Sequence, residues 1–345
     1  MKKLACCILL CGLSLVYFGS RATHAGPSGY HTVKKAVLGG EGGWDYLIAD
    51  GNAGRVYISR GTHVMVVASD TGTVVGDIPN TSGVHGIALA TELGKGFTSN
   101  GRDGTVTIFD LKSLKVLGSA QAGKNPDAIV YDPKSQRVFT FNGGSSDSTA
   151  IDAKTGTVAG TIPLEGRPEF AAVDGMGHVY ANIEDKSQIV QIDSAKLTVT
   201  NRWSIAPGDG PSGLAIDAKH HRLFSVCSNK MMVVVNADTG AVVTTVPTGV
   251  GTDAAGFDPG TGYAFASNGR DATLTVVHED SPDKFSLVEN VPTQLGARTM
   301  ALDTKSHNVF LVTAEFGAAP SPTAQQPRPR PQMVPGSFSL LILGR

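Results

Sequence analysis

The sequence predicts an all-β chain folded as a seven-bladed β-propeller with four-stranded antiparallel blades. Three observations carry this. Similar text recurs seven times, at intervals of 40, 42, 42, 43, 41 and 45 residues between Asp50, Ala90, Asp132, Asp174, Asp217, Asp258 and Asp303. Turn signals break each copy about every 8–12 residues, which leaves room for four short strands per copy. The 345 residues include 42 glycines, with 6% aromatic and 17% charged side chains, a balance that suits many short elements joined by tight turns. A hydrophobic fraction of 41% can still bury a sizeable core, which excludes general disorder, long charged helices and a polytopic membrane protein. Division by length would suggest two domains, but large all-β architectures run long as one, so 26–345 is assigned to a single domain.

Taken in chain order, the first element is a leader. Lys2 and Lys3 precede an apolar stretch, Leu4–Phe18, and Thr23-His24-Ala25 offers a small-residue cleavage site, so 1–25 is expected to be a secretory signal peptide. The apolar run is short for a membrane anchor, and no transmembrane span is expected after its removal. The chain is therefore expected to be exported, to the periplasm or the cell exterior. Cys6, Cys7 and Cys11 leave with the leader, so Cys227 has no partner for an internal disulfide and is read as a buried, inert thiol. Three of the 29 basic residues, Lys2, Lys3 and Arg21, leave as well. The remaining 26 face 30 acidic residues, a net charge of about −4, and give no support to general nucleic-acid binding.

Each repeat then reads the same way. An apolar strand ends in Asp in six of the seven copies, and a polar turn follows that the Asp is expected to cap. A second strand, such as Arg137–Phe141, runs to a turn with Asn-Gly character, as at Asn100-Gly101, Asn142-Gly143 and Asn268-Gly269. A third alternating strand follows, such as Thr105–Asp110, and a turn such as Lys154-Thr155-Gly156 leads to the fourth, Thr157–Pro163. Glycine is expected at the positive-φ turn positions. The seventh copy is interrupted at 319–336, where six prolines favour an extended excursion, and alternation resumes over Ser337–Leu343. Its missing fourth strand is expected to be Tyr30–Leu38, which would close the ring and cover an exposed edge.

Five residues before each marker stand Asp45, His85, Asp127, Glu169, Ser212, Asp253 and Arg298. They begin the seven innermost strands and are expected to ring the channel mouth, where scaffold turns converge on an axial cavity. Arg102 and Arg270, in the second-to-third strand turns, should project near the same face. Trp44 beside Asp45 is either a ligand platform or packing for the first blade. The competing reading is that the ring groups cap turns or pair with one another over a wet channel. No resident cofactor is expected, although the carboxylates and His85 are donors that would suit a divalent cation. Metalloprotease, paired-cysteine, EF-hand, P-loop and nucleophile-elbow patterns are absent from the sequence. His220-His221 fall in a polar turn on the opposite face and read as surface residues, and the PRPRP run at 327–331 reads as a solvated loop.

The segments SNGRDGTVTIFD (99–110), IDAKTGTVAGTIP (151–163) and VNADTGAVVTTVPTGVGTDAAGFDP (235–259) resemble the YVTN-type, YncE-like seven-bladed propellers, and the resemblance runs from about Tyr30 to Arg345. It implies the scaffold and says little of chemistry. The leading expectation is an exported, non-catalytic, monomeric scaffold that binds a small ligand or a protein partner through the channel face. One alternative is an enzyme system, either a cation-assisted, lactonase-like hydrolase using Asp45, His85, Asp127, Glu169 and Asp253, or a quinoprotein-associated subunit. The other is a cell-envelope interaction protein working through its rim or its proline-rich loop.

Overall fold

The computed structural model describes residues 27–321 and 331–345; the expected leader and residues 322–330 of the proline-rich excursion lie outside them. Strand β1 (His31–Val37) comes first. Blade 1 is then β2 (Leu47–Asp50), β3 (Arg55–Ser59), β4 (Val64–Ala68) and β5 (Val74–Ile78), and blade 2 is β6 (Val84–Ala90), β7 (Lys95–Asn100), β8 (Thr105–Asp110) and β9 (Val116–Gln121). Blade 3 is β10 (Pro126–Asp132), β11 (Arg137–Asn142), β12 (Asp147–Asp152) and β13 (Val158–Pro163). Blade 4 is β14 (Pro168–Val173), β15 (His178–Ile183), β16 (Gln188–Asp193) and β17 (Thr198–Ser204). Blade 5 is β18 (Pro211–Asp217), β19 (Arg222–Cys227), β20 (Met231–Asn236) and β21 (Val242–Pro247). Blade 6 is β22 (Thr252–Asp258), β23 (Tyr263–Asn268), β24 (Thr273–Ser281) and β25 (Lys284–Pro292). Blade 7 takes β26 (Met300–Asp303), β27 (Asn308–Thr313) and β28 (Ser339–Gly344), with β1 as its fourth strand, in the order β1-β28-β27-β26.

Closure follows the sequence expectation. β1 pairs antiparallel with β28 from His31 opposite Gly344 to Val37 opposite Ser339. Tyr30 anchors this strand: it is buried, its hydroxyl donates to the His307 carbonyl at 2.7 Å, and its ring meets Phe265 edge-on at 5.1 Å. The flanks of the proline-rich excursion meet through a bridge between Phe316 and Met333, which returns the chain to β28.

The apolar pattern explains the packing. The second and third strands of each blade are buried along their length, as in Met232–Val235, because a neighbouring blade covers each face. Outer strands such as β9 and β13 are largely exposed. The core is accordingly divided into seven clusters that lie between adjacent blades. One joins Val56, Ile58 and Val67 of blade 1 to Phe310, Val312 and Leu340 of blade 7; another joins Phe139 and Phe141 of blade 3 to Val179 and Ile192 of blade 4.

Two polar devices repeat with the blades. The marker Asp accepts backbone N–H groups of the following turn, as expected: Asp132 takes Lys134 N at 3.2 Å, Ser135 N at 3.0 Å and Ser135 Oγ at 2.7 Å. An arginine at the start of the second strand reaches the next blade, with Arg55 Nη1 donating to Leu111 O at 2.6 Å, Arg137 Nη1 to Ser194 O at 2.7 Å and Arg222 Nε to Pro282 O at 2.5 Å.

The Asn-Gly turns depart from expectation. Asn100, Asn142 and Asn268 are the buried last residues of their strands, and their amides donate to Thr107, Thr149 and Thr275 at 2.8, 3.0 and 2.8 Å. The positive φ falls later in the turn, at Gly104, Ser146 and Ala272, whereas Gly156 and Gly240 do have the left-handed conformation expected of them.

Candidate functional site

The inner strands place the seven channel-mouth residues by a shared irregularity. In blades 2 to 6 the pairing of first and second strands slips immediately after the first inner residue: Val84 to Ile87, Pro126 to Ile129, Pro168 to Ala171, Pro211 to Leu214 and Thr252 to Ala255. His85, Asp127, Glu169, Ser212 and Asp253 sit inside these bulges, which turn a side chain out of the sheet. Asp45 and Arg298 precede the shorter inner strands of blades 1 and 7.

The structure brings six of the seven into two linked chains. His85 Nδ1 lies 2.7 Å from Asp45 Oδ2 and 3.7 Å from Asp127 Oδ1. Arg298 joins Asp45 Oδ1 at 3.4 Å to Asp253 Oδ2 at 2.7 Å, and Ser212 Oγ donates to Asp253 Oδ1 at 2.8 Å. Glu169 turns instead to Glu184 at the end of the second strand of blade 4, and Arg167 pairs with Glu184.

Room for two of these side chains comes from the Asn-Gly glycines. A Cβ on Gly101 would sit 2.7 Å from the His85 ring, and one on Gly269 would sit 2.7 Å from Arg298 Cβ. Neither glycine has a positive φ. The turn text reports close approach at these positions, not left-handed backbone.

The electrostatics follow from this crowding. Burial, with the Asp45 and Asp253 charges and against the help of His85, pushes the Asp127 carboxyl up to about 6. Burial and the hydrogen bond to Glu184 hold Glu169 well above the usual carboxylate range. The hydrogen bond to Asp45 raises His85, against its own burial. On Arg298, burial is outweighed by Asp253 and Asp45, and the guanidinium is held more firmly protonated.

Tyr46 is the residue that the sequence reading missed. Burial raises its phenol well above the usual range, with further contributions from Asp127, Asp45, Glu169 and Asp253, so four ring carboxylates surround it. Its ring lies 4.4 Å from that of Phe170, which follows Glu169 in blade 4. Blades 1 and 4 thus meet across the axis, where two half-buried aromatic rings narrow the expected cavity. The available signal was an aromatic directly after a ring position in two copies.

Of the remaining candidates, Trp44 packs against Phe338 at 5.3 Å and Phe316 at 6.3 Å, between blades 1 and 7. Arg102 and Arg270 are exposed and form no ion pair among the described residues. Arg270 borders an off-axis cleft of about 530 Å³ between blades 6 and 7, with Asp253, Leu295, Arg298, Phe316 and Pro331. A larger hollow of about 670 Å³ lies on the opposite face between blades 1 and 2, but its polar groups already serve the fold. There Asp50 caps its own turn, Asp110 accepts from Ser113, and Arg55 holds the Leu111 carbonyl. Cys227 is buried and its thiol is pushed up to about 12 by burial, which leaves it unreactive. No helix among the described residues is long and apolar enough to cross a membrane.

No family model matches the sequence, and no curated protein matches it. Solved structures do. A chain of the mitotic checkpoint complex aligns with a TM-score of 0.73 at 13% identity, over 100% of this chain and 99% of its own. U3-55K aligns at 0.72 and 7% identity, over 90% and 99%. A chain of Kuenenia stuttgartiensis hydrazine synthase aligns at 0.66 and 16%, over 78% and 92%. At such identities the likeness establishes the propeller fold alone, shared by proteins of diverse function.

Proposed function

We propose that the chain is an exported, non-catalytic propeller that binds a small ligand, with an apolar body and a polar head, at the ring face. The observation that carries this reading is the cleft between blades 6 and 7. Leu295, Phe316 and Pro331 supply apolar walls, while the exposed Arg270 stands ready for a polar head beside Arg298, which Asp253 and Asp45 already hold. The Tyr46–Phe170 contact favours this off-axis position, since it narrows the axis. The blade text at 99–110, 151–163 and 235–259 supports placing the chain with the YVTN-type, YncE-like propellers, and the 1–25 segment supports export to the periplasm or cell exterior. The even division of the core among seven blade interfaces supports one domain acting as a monomer. The test uses anilinonaphthalene sulfonate, an apolar fluorophore with an anionic head. Native protein should enhance its fluorescence, and Arg270→Ala and Phe316→Ala should each weaken binding at least tenfold. Unchanged binding in both variants would refute the site.

One observation favours a second reading. Asp45, His85 and Asp127 each offer a donor atom within 4.8 Å of the others, a set that could hold a divalent cation for lactone hydrolysis. A lactone panel assayed with Ca²⁺ or Zn²⁺ decides it: turnover that depends on the metal and is lost in Asp127→Asn supports the hydrolase, and no turnover removes it.

A further inference from the structure

On the face opposite the ring, blade 5 departs from the repeat at one position and blade 6 at another, and the two departures meet. Three residues after the marker Asp, Ser135, Thr261 and Ser306 cap the carboxylate with a hydroxyl, at 2.7, 2.9 and 2.6 Å. Blade 5 places His220 in that slot. The second departure is Glu279. Its N–H donates to Gly262 O just as those of Ser69, Leu111, Ala153, Ser194 and Ala237 donate to the matching carbonyls of their own blades, so all six occupy one structural slot. The other five are apolar or small, and all but the half-buried Ser69 are buried. In blade 6 the third strand is extended and carries a carboxylate into this slot, against the turn of blade 5.

The result is a group of donors with unfilled capacity. His220 Nδ1 lies 2.9 Å from Glu279 Oε1 and 2.7 Å from Asp217 Oδ2. The side chains of Asp217 and Glu279 are only 3% and 4% exposed. Even so, Asp217 Oδ2 and Glu279 Oε2 are buried without a hydrogen-bond partner, the former despite its closeness to the imidazole. Lys219 N occupies only the other oxygen of Asp217. Two carboxylates removed from water share one imidazole, and the buried oxygens left unpaired are served either by a proton held between them or by a bound cation.

We propose that Asp217, His220 and Glu279 form a site for one divalent first-row transition ion, Zn²⁺ or Mn²⁺, which pins blade 6 to blade 5. The donor atoms lie within 4.8 Å of one another. A metal at about 2.1 Å from each donor places neighbouring ligands about 3 Å apart, so the group needs only small adjustments. One imidazole with two carboxylates suits Zn²⁺ or Mn²⁺ better than a thiolate-preferring ion. The His220 side chain, 34% exposed, opens the site to solvent and leaves positions for water. The site lies across the molecule from the ring and does not depend on the ligand proposed there.

The experiment uses the full chain, stripped with chelator and titrated with Zn²⁺ and Mn²⁺ by calorimetry and thermal unfolding. Wild type should bind one equivalent and unfold at a higher temperature when loaded. Glu279→Ala and His220→Ser restore residues that other blades carry in the same slots, so both should fold, and each should weaken binding at least tenfold. Thr155→Ala, in a polar turn of blade 3 on the same face and outside both carboxylate–histidine groups, should bind as wild type does. A wild type that neither binds nor is stabilised by either metal overturns the proposal, as does equal binding by Glu279→Ala and His220→Ser.

Discussion

The two ends of the inner strands offer the same number of equivalent slots and fill them with opposite chemistry. At the opposite face the marker position is almost monotonous, and each Asp accepts from its own turn, as Asp132 does from Ser135, even where a second blade also reaches it, as His307 reaches Asp258. At the ring face the slots hold three Asp, one Glu, one His, one Ser and one Arg, and they bond across blades, as Arg298 does with Asp253 and Asp45. Local satisfaction makes a residue part of each blade's folding. Satisfaction by a neighbour makes it part of a surface that exists only when the ring has closed.

Four experiments press on this difference. The largest effect is expected from Asp132→Ala, which removes the fully buried acceptor that holds an otherwise exposed turn and should lower stability by about 2 kcal/mol in denaturant unfolding. Asp253→Asn should lose less than about 1 kcal/mol, because its partners reach solvent. Equal losses would break the distinction.

Next is Gly101→Ala. Its methyl would press on the His85 ring and Asn125, which should cost about 1–2 kcal/mol and displace His85 from Asp45. A neutral outcome would show that the ring yields.

The two faces should also titrate in opposite senses. Asp127 has a folded pKa of about 6 against an unfolded 3.8, so between these values the folded state binds more protons and its contribution to stability falls as pH rises. His85, also raised, contributes stability that is fully present below its unfolded pKa of 6.5 and is lost as pH rises through its folded value. At the opposite face, Asp110, Asp152 and Asp193 are lowered, chiefly by hydrogen bonds from Ser113, Thr155 and Lys196, and their contribution is lost as pH falls. Asp127→Asn should therefore remove a decline of about 1–2 kcal/mol in unfolding free energy between pH 4 and pH 6. An unchanged profile would disprove the burial of that carboxyl.

The smallest effect is local. The Arg298 charge lowers His85, so Arg298→Ala should raise the imidazole midpoint by less than about one unit in an NMR titration. A fall would show that the two groups are not neighbours.

Much of this was legible in the sequence, and for a physical reason. Blade number, the marker caps and closure by Tyr30–Leu38 depend on alternation and turn chemistry, which act over a few residues and repeat. The ring was legible as a list of slots, because repeat alignment carries a position from blade to blade. Its partners were not: the pairing of Arg298 with Asp45 links residues 253 positions apart. The role of Gly101 was misread because space for His85 and left-handed backbone leave the same letter in the sequence. His220 read as a surface residue for a similar reason, since its carboxylate neighbour Glu279 arrives from another blade.

By itself, then, the sequence determined the repeating unit, the number of copies and which positions face the axis, since each rests on a short-range pattern copied seven times. Only the tertiary structure decided that Tyr46 and Phe170 meet across the axis, that the open cleft lies between blades 6 and 7, and that Glu279 meets His220 and Asp217. Those outcomes depend on which departures from the repeat come to lie side by side, and that is settled by the curvature of the closed ring.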